Sequence, residues 1–258
     1  MPRKTDPATS TRDVMIVMPA FRAEATLRST FEAIPTGSYR NVLLVDDCSD
    51  DRTVEVAEGL GISVIRHDAN RGYGANQKTC YRAALETDAE IIVMLHPDNQ
   101  YDPRVVPLMA EIINLGICDM VLGSRIRSRR QVLAGGMPKW KYFLNRSSTL
   151  VENFLLGTAL GDFHSGYRAY RRNVLETIPF AQNSDDFAFD QEFIIQARHF
   201  GFEIGDLPVP VRYFEEASSI NLKRSLVYAG EAMMCICALT AHRIGVRNDR
   251  RFIASTAS

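Results

Sequence analysis

The segment IIVMLHPDNQYDP, residues 91–103, runs from apolar residues into a group of polar ones. Within it His96, Asp98 and Gln100 occupy alternate positions, so an extended chain would place their side chains on one side. An imidazole with carboxylate and amide oxygens suits Mg²⁺ or Mn²⁺. The same residues also suit a tight turn, because Asp98 and Asn99 are turn formers. A cation site and an Asx-type turn are both open here.

Two other segments place polar or special residues after apolar runs. In LLVDDCSD, the adjacent carboxylates of Asp46 and Asp47 repel each other unless a ligand, donor or cation relieves them, which favours a binding role. Capping of the following helix is the alternative. NRGYGANQK, residues 70–78, puts Gly72 and Gly74 before a helix, where backbone amides would cradle a phosphate. A simple glycine turn explains that spacing equally well.

Short apolar runs rich in Val and Ile predict the elements that carry these groups. They occur at residues 14–18, 42–45, 62–65, 91–95 and 120–122, with segments of helical length between them. Continuous apolar runs indicate a mostly parallel sheet covered by helices on both faces. Such sheets bind ligands at the carboxyl ends of their strands. The predicted fold class is therefore α/β, with the polar segments gathered at one edge. A further strand is predicted in VPVRYFEEASSI, residues 209–220.

Length and composition exclude several classes of protein. A chain of 258 residues that is 46% hydrophobic has enough core for one large domain. Thirty basic against thirty-one acidic residues argue against a nucleic-acid binder. Five cysteines without paired zinc spacing suggest reduced thiols in a cytoplasmic protein. Residues 1–12 are expected to form a flexible arm, and the apolar run 226–239 is too short to span a bilayer.

The motifs VMPAFRAEATL, VLLVDDCSDDRT, NRGYGANQK, MLHPDNQYDP, VLGSR and DFHSGYRAY resemble the family 2 glycosyltransferases of GT-A fold. The resemblance is strongest to the dolichol- and polyprenol-phosphate sugar synthases. It covers roughly residues 13–225 and depends on the order and spacing of the motifs. It implies a Rossmann-like three-layer sandwich, a nucleoside-diphosphate-sugar donor, a divalent cation (Mg²⁺ or Mn²⁺) near a D-x-D motif, and inversion at the anomeric carbon. Residues 13–122 would bind the donor, residues 123–220 the acceptor, and residues 221–258 would form a C-terminal helix and tail.

The match to the family's donor motifs is uneven. The first strand of the family usually ends in P-x-Y-N-E, whereas here Pro19 is followed by AFRA and then by Glu24. Asp46 and Asp47 match the acidic pair that contacts the base and ribose. The resemblance assigns donor binding to Pro19, Ala20, Glu24, Asp46, Asp47, Gly72, Asp98 and Arg125.

The metal motif D-x-D-x-Q of the lipid-phosphate synthases matches His96, Asp98 and Gln100, with histidine in place of the first aspartate. These three residues are the predicted metal ligands. Exchanging a carboxylate for an imidazole weakens Mg²⁺ binding relative to softer ions such as Mn²⁺.

The resemblance places residues 162–170 on the acceptor side, with Asp162 and Arg168 around a Ser–Gly turn. A guanidinium is suited to bidentate binding of a phosphate. Asp190 lies near the start of a predicted helix ending about Gly201, and it is the candidate general base for a hydroxyl acceptor. A phosphate acceptor is already anionic, and Asp190 would then position other groups. The predicted catalytic residues are Asp190, Asp162 and Arg168.

Residues 120–151 contain no acidic residue, and their basic residues interleave with Trp140, Tyr142 and Phe143. This pattern favours peripheral contact with anionic lipid headgroups, although a solvated basic face is the alternative. The predicted C-terminal helix, residues 222–243, would dock beside this segment, or pack on the domain or on a second subunit of a homo-oligomer. Residues 212–219 are a candidate lid.

The preferred function is transfer of a sugar from a nucleoside-diphosphate sugar to a polyprenyl phosphate, in the cytoplasm at the inner face of the membrane. A soluble hydroxyl acceptor is the alternative within the same class. The changes at Arg22, Ala23 and His96 also leave open a catalytically silent nucleotide-sugar-binding protein. A dinucleotide-dependent oxidoreductase is disfavoured because no GxGxxG follows the first strand.

Overall fold

The computed structural model describes residues 13–125, 130, 132, 137–211 and 222–255. Its strands are β1 (Val14–Ala20), β2 (Asn41–Asp46), β3 (Ser63–Arg66), β4 (Ile91–Met94), β5 (Met120–Ser124), β6 (Arg168–Arg171) and β7 (Ile204–Pro208). They form one seven-stranded sheet in the order β3-β2-β1-β4-β6-β5-β7. Strand β6 is antiparallel to both of its neighbours, and the other adjacent pairs are parallel.

Helices cover both faces of the sheet. They are α1 (Leu27–Glu32), α2 (Thr53–Gly59), α3 (Tyr73–Leu85), α4 (Val106–Asn114), α5 (Lys139–Leu156), α6 (Arg172–Thr177), α7 (Phe189–His199) and α8 (Leu222–Arg243). Successive β1 residues face opposite sides, so Met15 and Val17 join a core with α3, α7 and α8. Ile16 and Met18 join a second core with α1, α2 and α4. The predicted three-layer α/β sandwich is confirmed.

The five strands predicted from apolar runs are all present, with ends within two residues of the prediction. Strands β6 and β7 were not among them, because RAYR and IGDLP mix charged and apolar residues. Of the strand predicted at residues 209–220, the structure describes only residues 209–211, which follow the end of β7 at Pro208; Val211 forms an isolated antiparallel bridge with Tyr101. Residues 212–220, which include the candidate lid, lie outside the described residues.

Because β6 is antiparallel, the segment that precedes it lies at the ligand-binding edge of the sheet. Arg168, the first residue of β6, pairs with Met94 of β4 and with Leu122 of β5. An antiparallel strand begins where its parallel neighbours end. The segment before β6, residues 162–167, therefore lies at the same edge as the ends of β1, β2, β4 and β5. The sheet thus gathers the motifs that are distant in sequence.

Helix α5 turns polar residues inward. Asn145, Thr149 and Glu152 are buried at helical spacing, so they share one face of the helix. The Glu152 carboxylate lies 3.4 Å from the His164 imidazole. Burial, together with the nearby Asp162 carboxylate, raises the pKa of Glu152 to about 8. The helix therefore docks through polar contacts in place of an apolar seam.

The opposite face of α5 exposes apolar side chains. Phe143 is 59% exposed, Leu150 61% and Phe154 86%. Helix α8, which contacts α5, adds the exposed Val227 and Met234. These five residues are called the apolar face below. Among the described helices, none combines the length and apolar character needed to cross a membrane.

We predict that Glu152 makes the folded protein less stable as the pH rises. Its folded pKa of about 8 exceeds the ordinary value of 4.5, so its contribution is present below pH 4.5 and is lost as the pH rises towards 8. The Glu152→Gln variant stays neutral and avoids this loss. Relative to the wild type, it should gain on the order of 3 kcal/mol in free energy of unfolding between these pH values.

Urea unfolding at a series of pH values measures the difference. Glu111→Gln, at an exposed position on α4, is the matched control and should follow the wild type. Parallel pH profiles for the wild type and Glu152→Gln would contradict the prediction.

Candidate active site

A cavity of about 540 Å³ opens at the carboxyl edge of the sheet. Its volume lies in the range of about 300–1,000 Å³ that is typical of small-molecule sites. The ends of β1 and β4, the start of α3 and the loop before α7 form its walls. The lining residues are Pro19, Ala20, Phe21, Arg22, Ala23, Thr26, Asp47, Asn70, Gly72, Tyr73, Asn76, His96, Pro97, Asp98, Asp186 and Phe187.

Asp47 lies in the cavity wall and holds the loop before α3. Its carboxylate accepts hydrogen bonds from the amides of Arg71 (2.9 Å) and Gly72 (3.0 Å). The same carboxylate lies 2.7 Å from Nδ1 of the buried His67. Of the three kinds of partner expected to relieve this carboxylate, a ligand, a donor or a cation, the structure shows protein donors.

Asp46 points elsewhere. Its carboxylate is fully buried and accepts hydrogen bonds from both the amide and the hydroxyl of Ser49. The Arg66 guanidinium lies 3.6 Å from the same carboxylate. Asp46 is not among the residues that line the cavity. The two adjacent carboxylates therefore have different surroundings, and Asp47 is the one at the ligand-accessible surface.

The glycines of NRGYGANQK bring two backbone segments together. The amides of Gly74 and Ala75 donate to the carbonyl of Asp185 at 2.7 and 3.2 Å. A Cβ on Gly74 would collide with the carbonyl of Ser184, and one on Gly72, where φ is +99°, with that of Asp185. The amides expected to cradle a phosphate are therefore engaged by protein groups. Gly72 still lines the cavity.

Tyr73 connects three parts of the site. Its hydroxyl donates to the Asp190 carboxylate at 2.9 Å and lies 3.3 Å from Nε2 of His96. The Tyr73 and His96 rings are stacked, with centroids 5.5 Å apart. A Cβ on Gly166 would lie 2.7 Å from His96 Nε2, so the glycine of the Ser–Gly turn makes room for this contact.

Asp190 and Arg168 form a buried ion pair beneath the cavity. Their charged groups lie 3.2 Å apart, and Gln77 donates to Asp190 at 3.0 Å. Arg168 also donates to the carbonyl of Ser165 at 2.7 Å. Burial lowers the pKa of Arg168, but the Asp190 carboxylate and nearby tyrosines outweigh it and raise that pKa above its usual value. Arg168 is therefore charged, and neither member of the pair lines the cavity.

Asp162 and Arg125 form a second buried pair. The guanidinium of Arg125 donates to both oxygens of Asp162, at 2.7 and 3.0 Å. Asn145 of α5 and the amide of His164 each donate to Asp162 at 3.0 Å. Burial would raise the pKa of Asp162, but the Arg125 charge and hydrogen bonds lower it below its usual range. The pair fixes α5 to the sheet edge and lies off the cavity lining.

Asp98 is the predicted metal ligand with the clearest access to the cavity. Its carboxylate accepts from the amide of Gln100 at 3.0 Å, which is the expected Asx-type turn, yet the residue also lines the cavity. Burial raises the pKa of Asp98, while His96 acts in the opposite direction. A half-buried carboxylate with a raised pKa is relieved by a cation.

His96 is able to join Asp98 as a ligand. Burial lowers its pKa although Asp98 and Asp190 raise it, so the imidazole is neutral at neutral pH. Gln100 does not line the cavity. No cluster of three or more His, Cys, Asp or Glu occurs among the described residues. A cation would thus take few protein ligands and more oxygens from phosphate and water, which suits Mg²⁺.

Glu24, expected to contact the donor, is directed away from the cavity. It pairs with Arg52 at 2.6 Å. At the cavity rim, Arg22 pairs with Asp50 at 2.7 Å. Beside them the ring of Phe21 is 47% exposed, with the Arg22 guanidinium 5.1 Å from its centroid. An exposed ring at the rim is suited to stacking on a planar base.

The model of the family described as Glycosyl transferase family 2 matches residues 15–179. The chain belongs to this family. Among its relatives, a dolichyl-phosphate hexose transferase from Haloferax volcanii is 30% identical over 87% of this chain and 94% of its own length. A polyprenol monophosphomannose synthase from Mycolicibacterium smegmatis is 26% identical over 79% and 80%.

Solved structures agree with the fold of this glycosyltransferase. Glucosyl-3-phosphoglycerate synthase from Mycobacterium tuberculosis, in complex with Mn²⁺, UDP and phosphoglyceric acid, has a TM-score of 0.67. The match covers 92% of this chain and 80% of that one at 19% identity, a level that shows the fold alone. The expected GT-A fold is thereby confirmed.

Several wall residues of this glycosyltransferase were not predicted from the sequence. Tyr73, Asp186 and Phe187 line the cavity, and Asn76 bridges the carbonyls of Ala20 and Val45. Only Tyr73 carried a usable signal, since an aromatic residue between two glycines at a helix start is unusual. The others depend on contacts between distant segments.

We predict that Gly74→Ala destabilises the protein and weakens donor binding, because the new methyl group would separate α3 from the 184–186 backbone. A loss of about 1–3 kcal/mol in free energy of unfolding is expected. Gly59→Ala is the matched control, because a Cβ there meets nothing within 4 Å and alanine favours the helix. Urea unfolding measures both variants. A Gly74→Ala variant with the wild-type free energy of unfolding would refute the prediction.

Proposed function

We propose that this family 2 glycosyltransferase transfers a sugar from a nucleoside-diphosphate sugar to a polyprenyl phosphate. The cavity with Asp98 and His96 in its wall supports this function best. The nucleoside would rest against Pro19, Ala20 and Phe21 at the end of β1. Its diphosphate would then extend towards the end of β4, where Asp98 lies.

A divalent cation fits this place. Asp98 supplies a half-buried carboxylate and His96 an imidazole whose pKa is lowered by burial, and both line the cavity. When bound, Mg²⁺ or Mn²⁺ neutralises the charge that develops on the departing diphosphate. The predicted third ligand, Gln100, would need to turn its side chain towards the cavity.

The surrounding residues position the reacting groups. Asp190 accepts hydrogen bonds from Tyr73 and Gln77 and is paired with Arg168, so its oxygens are engaged. A general base needs an oxygen that is free to accept a proton, so these contacts fit a positioning residue better. A phosphate acceptor needs no base because its oxygen is already anionic. The engaged Asp190 therefore supports a phosphate acceptor over a hydroxyl.

The apolar face supports an acceptor that resides in a membrane. Exposed apolar surface marks interaction sites, and here α5, which starts at the exposed Lys139, and the contacting α8 both carry large exposed apolar side chains. Relatives named for dolichyl and polyprenol phosphates point to the same acceptor class. We propose that this face rests on anionic lipid and brings the 162–168 edge of the site to the headgroups.

The decisive measurement is release of nucleoside diphosphate from UDP-, GDP- and dTDP-sugars, with Mn²⁺ or Mg²⁺, with and without a short-chain polyprenyl phosphate. We expect one donor to turn over only when lipid phosphate is present, with activity removed by EDTA. Asp98→Asn should lower kcat about a hundredfold, because the cation loses its anionic ligand.

Asp88→Asn is the control, since Asp88 pairs with Arg40 far from the cavity. Turnover that requires a soluble hydroxyl compound would overturn the acceptor. Binding of a nucleotide sugar without any turnover would indicate the catalytically silent protein.

Membrane contact is tested separately by flotation with vesicles of phosphatidylcholine and phosphatidylglycerol. The double change Phe143→Ser and Phe154→Ser should lower vesicle binding about tenfold or more, because two exposed rings leave the interface. Leu108→Ser, at a 57% exposed position on α4, should bind like the wild type. Equal binding of all three proteins would exclude the apolar face as the contact.

A further inference from the structure

The C-terminal part of the chain, α8 and residues 244–255, reaches the cavity wall through the loop of residues 183–187. This part lies beyond the family match, which ends at residue 179, and it contains none of the predicted site residues. Two separate sets of contacts connect it to the loop. One is a column of aromatic rings, and the other is a chain of hydrogen bonds.

The aromatic column starts on α8 and ends at the candidate cation site. Tyr228 of α8 packs on Phe187 with ring centroids 5.4 Å apart. Phe187 stacks on Tyr73 at 4.4 Å, and Tyr73 stacks on His96 at 5.5 Å. Phe187, Tyr73 and His96 all line the cavity. A ring on the C-terminal helix therefore supports the ring adjacent to Tyr73 and, through Tyr73, the imidazole of His96.

The hydrogen-bond chain starts at Arg251. Its guanidinium donates to Glu192 of α7 at 2.7 Å and to Asp249 at 2.8 Å. The other carboxylate oxygen of Glu192 accepts the amide of Ser184 at 2.6 Å. Charge-assisted bonds of this kind are the stronger ones in proteins. Arg251 thus orients the carboxylate that holds the first part of the loop.

A second branch reinforces the same loop. Gln196 of α7 donates to the carbonyl of Arg251 at 2.8 Å and accepts from the Asn183 side chain at 2.8 Å. On the other side, Lys78 pairs with Asp185 at 2.7 Å. The Asp185 carbonyl in turn accepts the first amides of α3, next to Tyr73. The position of the loop therefore fixes the start of α3.

We propose that the C-terminal segment is part of the donor site, with Tyr228 and Arg251 as positioning residues. They hold residues 183–187 against the start of α3 and so keep Tyr73 and His96 in place for the diphosphate and its cation. This inference rests on the proposed donor site. It differs from simple coverage of the apolar core, because a covering helix would affect stability alone.

The test uses the full chain with Tyr228→Leu and Arg251→Met. Tyr228→Phe keeps the ring and should behave like the wild type. The matched controls are Thr240→Ala, at an exposed position on α8 outside the apolar face, and Arg250→Met, an exposed neighbour of Arg251. Binding of UDP and of GDP, each with Mn²⁺, is measured by calorimetry, and thermal unfolding of each variant is recorded.

We expect Tyr228→Leu and Arg251→Met each to raise the Kd of the bound nucleotide about tenfold, while Tyr228→Phe and both controls keep the wild-type value. The KM for the sugar donor that the enzyme turns over should rise in the same two variants and stay unchanged in the others. Amide hydrogen exchange without ligand should become faster at residues 74, 75 and 184 in the two test variants only, because these amides depend on the loop.

Wild-type Kd and wild-type exchange in both test variants would overturn the inference, even if their melting temperatures fall. A wild-type protein that binds neither nucleotide and turns over none of the UDP-, GDP- and dTDP-sugars would count against the proposed function. The exchange measurement then still decides whether the C-terminal segment holds the loop. Failure of the inference and failure of the proposed function are thus distinguishable.

Discussion

The buried charge of Arg168 is the constraint on which the rest of the site depends. Its side chain is fully buried at the start of β6, in the middle of the sheet. An unpaired guanidinium there would cost several kcal/mol, so a carboxylate and carbonyl acceptors must be brought to it. Asp190 and the carbonyl of Ser165 meet this requirement at Nη1 and Nε of Arg168, whereas its Nη2 has no hydrogen-bond partner among the described residues. Because Asp190 lies in the first turn of α7, the ion pair also attaches the start of that helix to the sheet.

The same pair connects the two faces of the cleft. Asp190 receives hydrogen bonds from Tyr73 and Gln77, both on α3, so the helix that follows the glycine loop is attached through Asp190 to Arg168 at the start of β6. The Asp162–Arg125 pair attaches α5 to the sheet edge in the same way, because Asn145 of α5 donates to Asp162. Buried ion pairs contribute little net stability, but an arrangement that separates the partners leaves an uncompensated buried charge. In this protein they define which segments face each other across the cavity.

The sequence was sufficient for the strands that are long and apolar, because the period of hydrophobicity reports burial directly. It failed for β6, whose Arg168 looks like a surface residue until its partner is known. The polar motifs do gather at one edge of the sheet, as predicted. The predicted residues that line the cavity there are Pro19, Ala20, Asp47, Gly72, His96 and Asp98. The direction in which an individual side chain points could not be predicted from the sequence. Asp46 and Glu24 are satisfied by Ser49 and Arg52, and such local competition has no signature in spacing.

The contact between the C-terminal segment and the 183–187 loop has a consequence for how the protein is made. The cavity takes its first wall residues from around position 19 and its last from position 187, and the supports behind that wall come from positions 228 and 251. Chains emerge from the ribosome amino end first. The sheet edge with Asp47 and Asp98 is therefore synthesised long before the residues that hold the opposite wall. A nascent chain of this protein has to expose residue 251 outside the ribosome before its cleft can take its final shape.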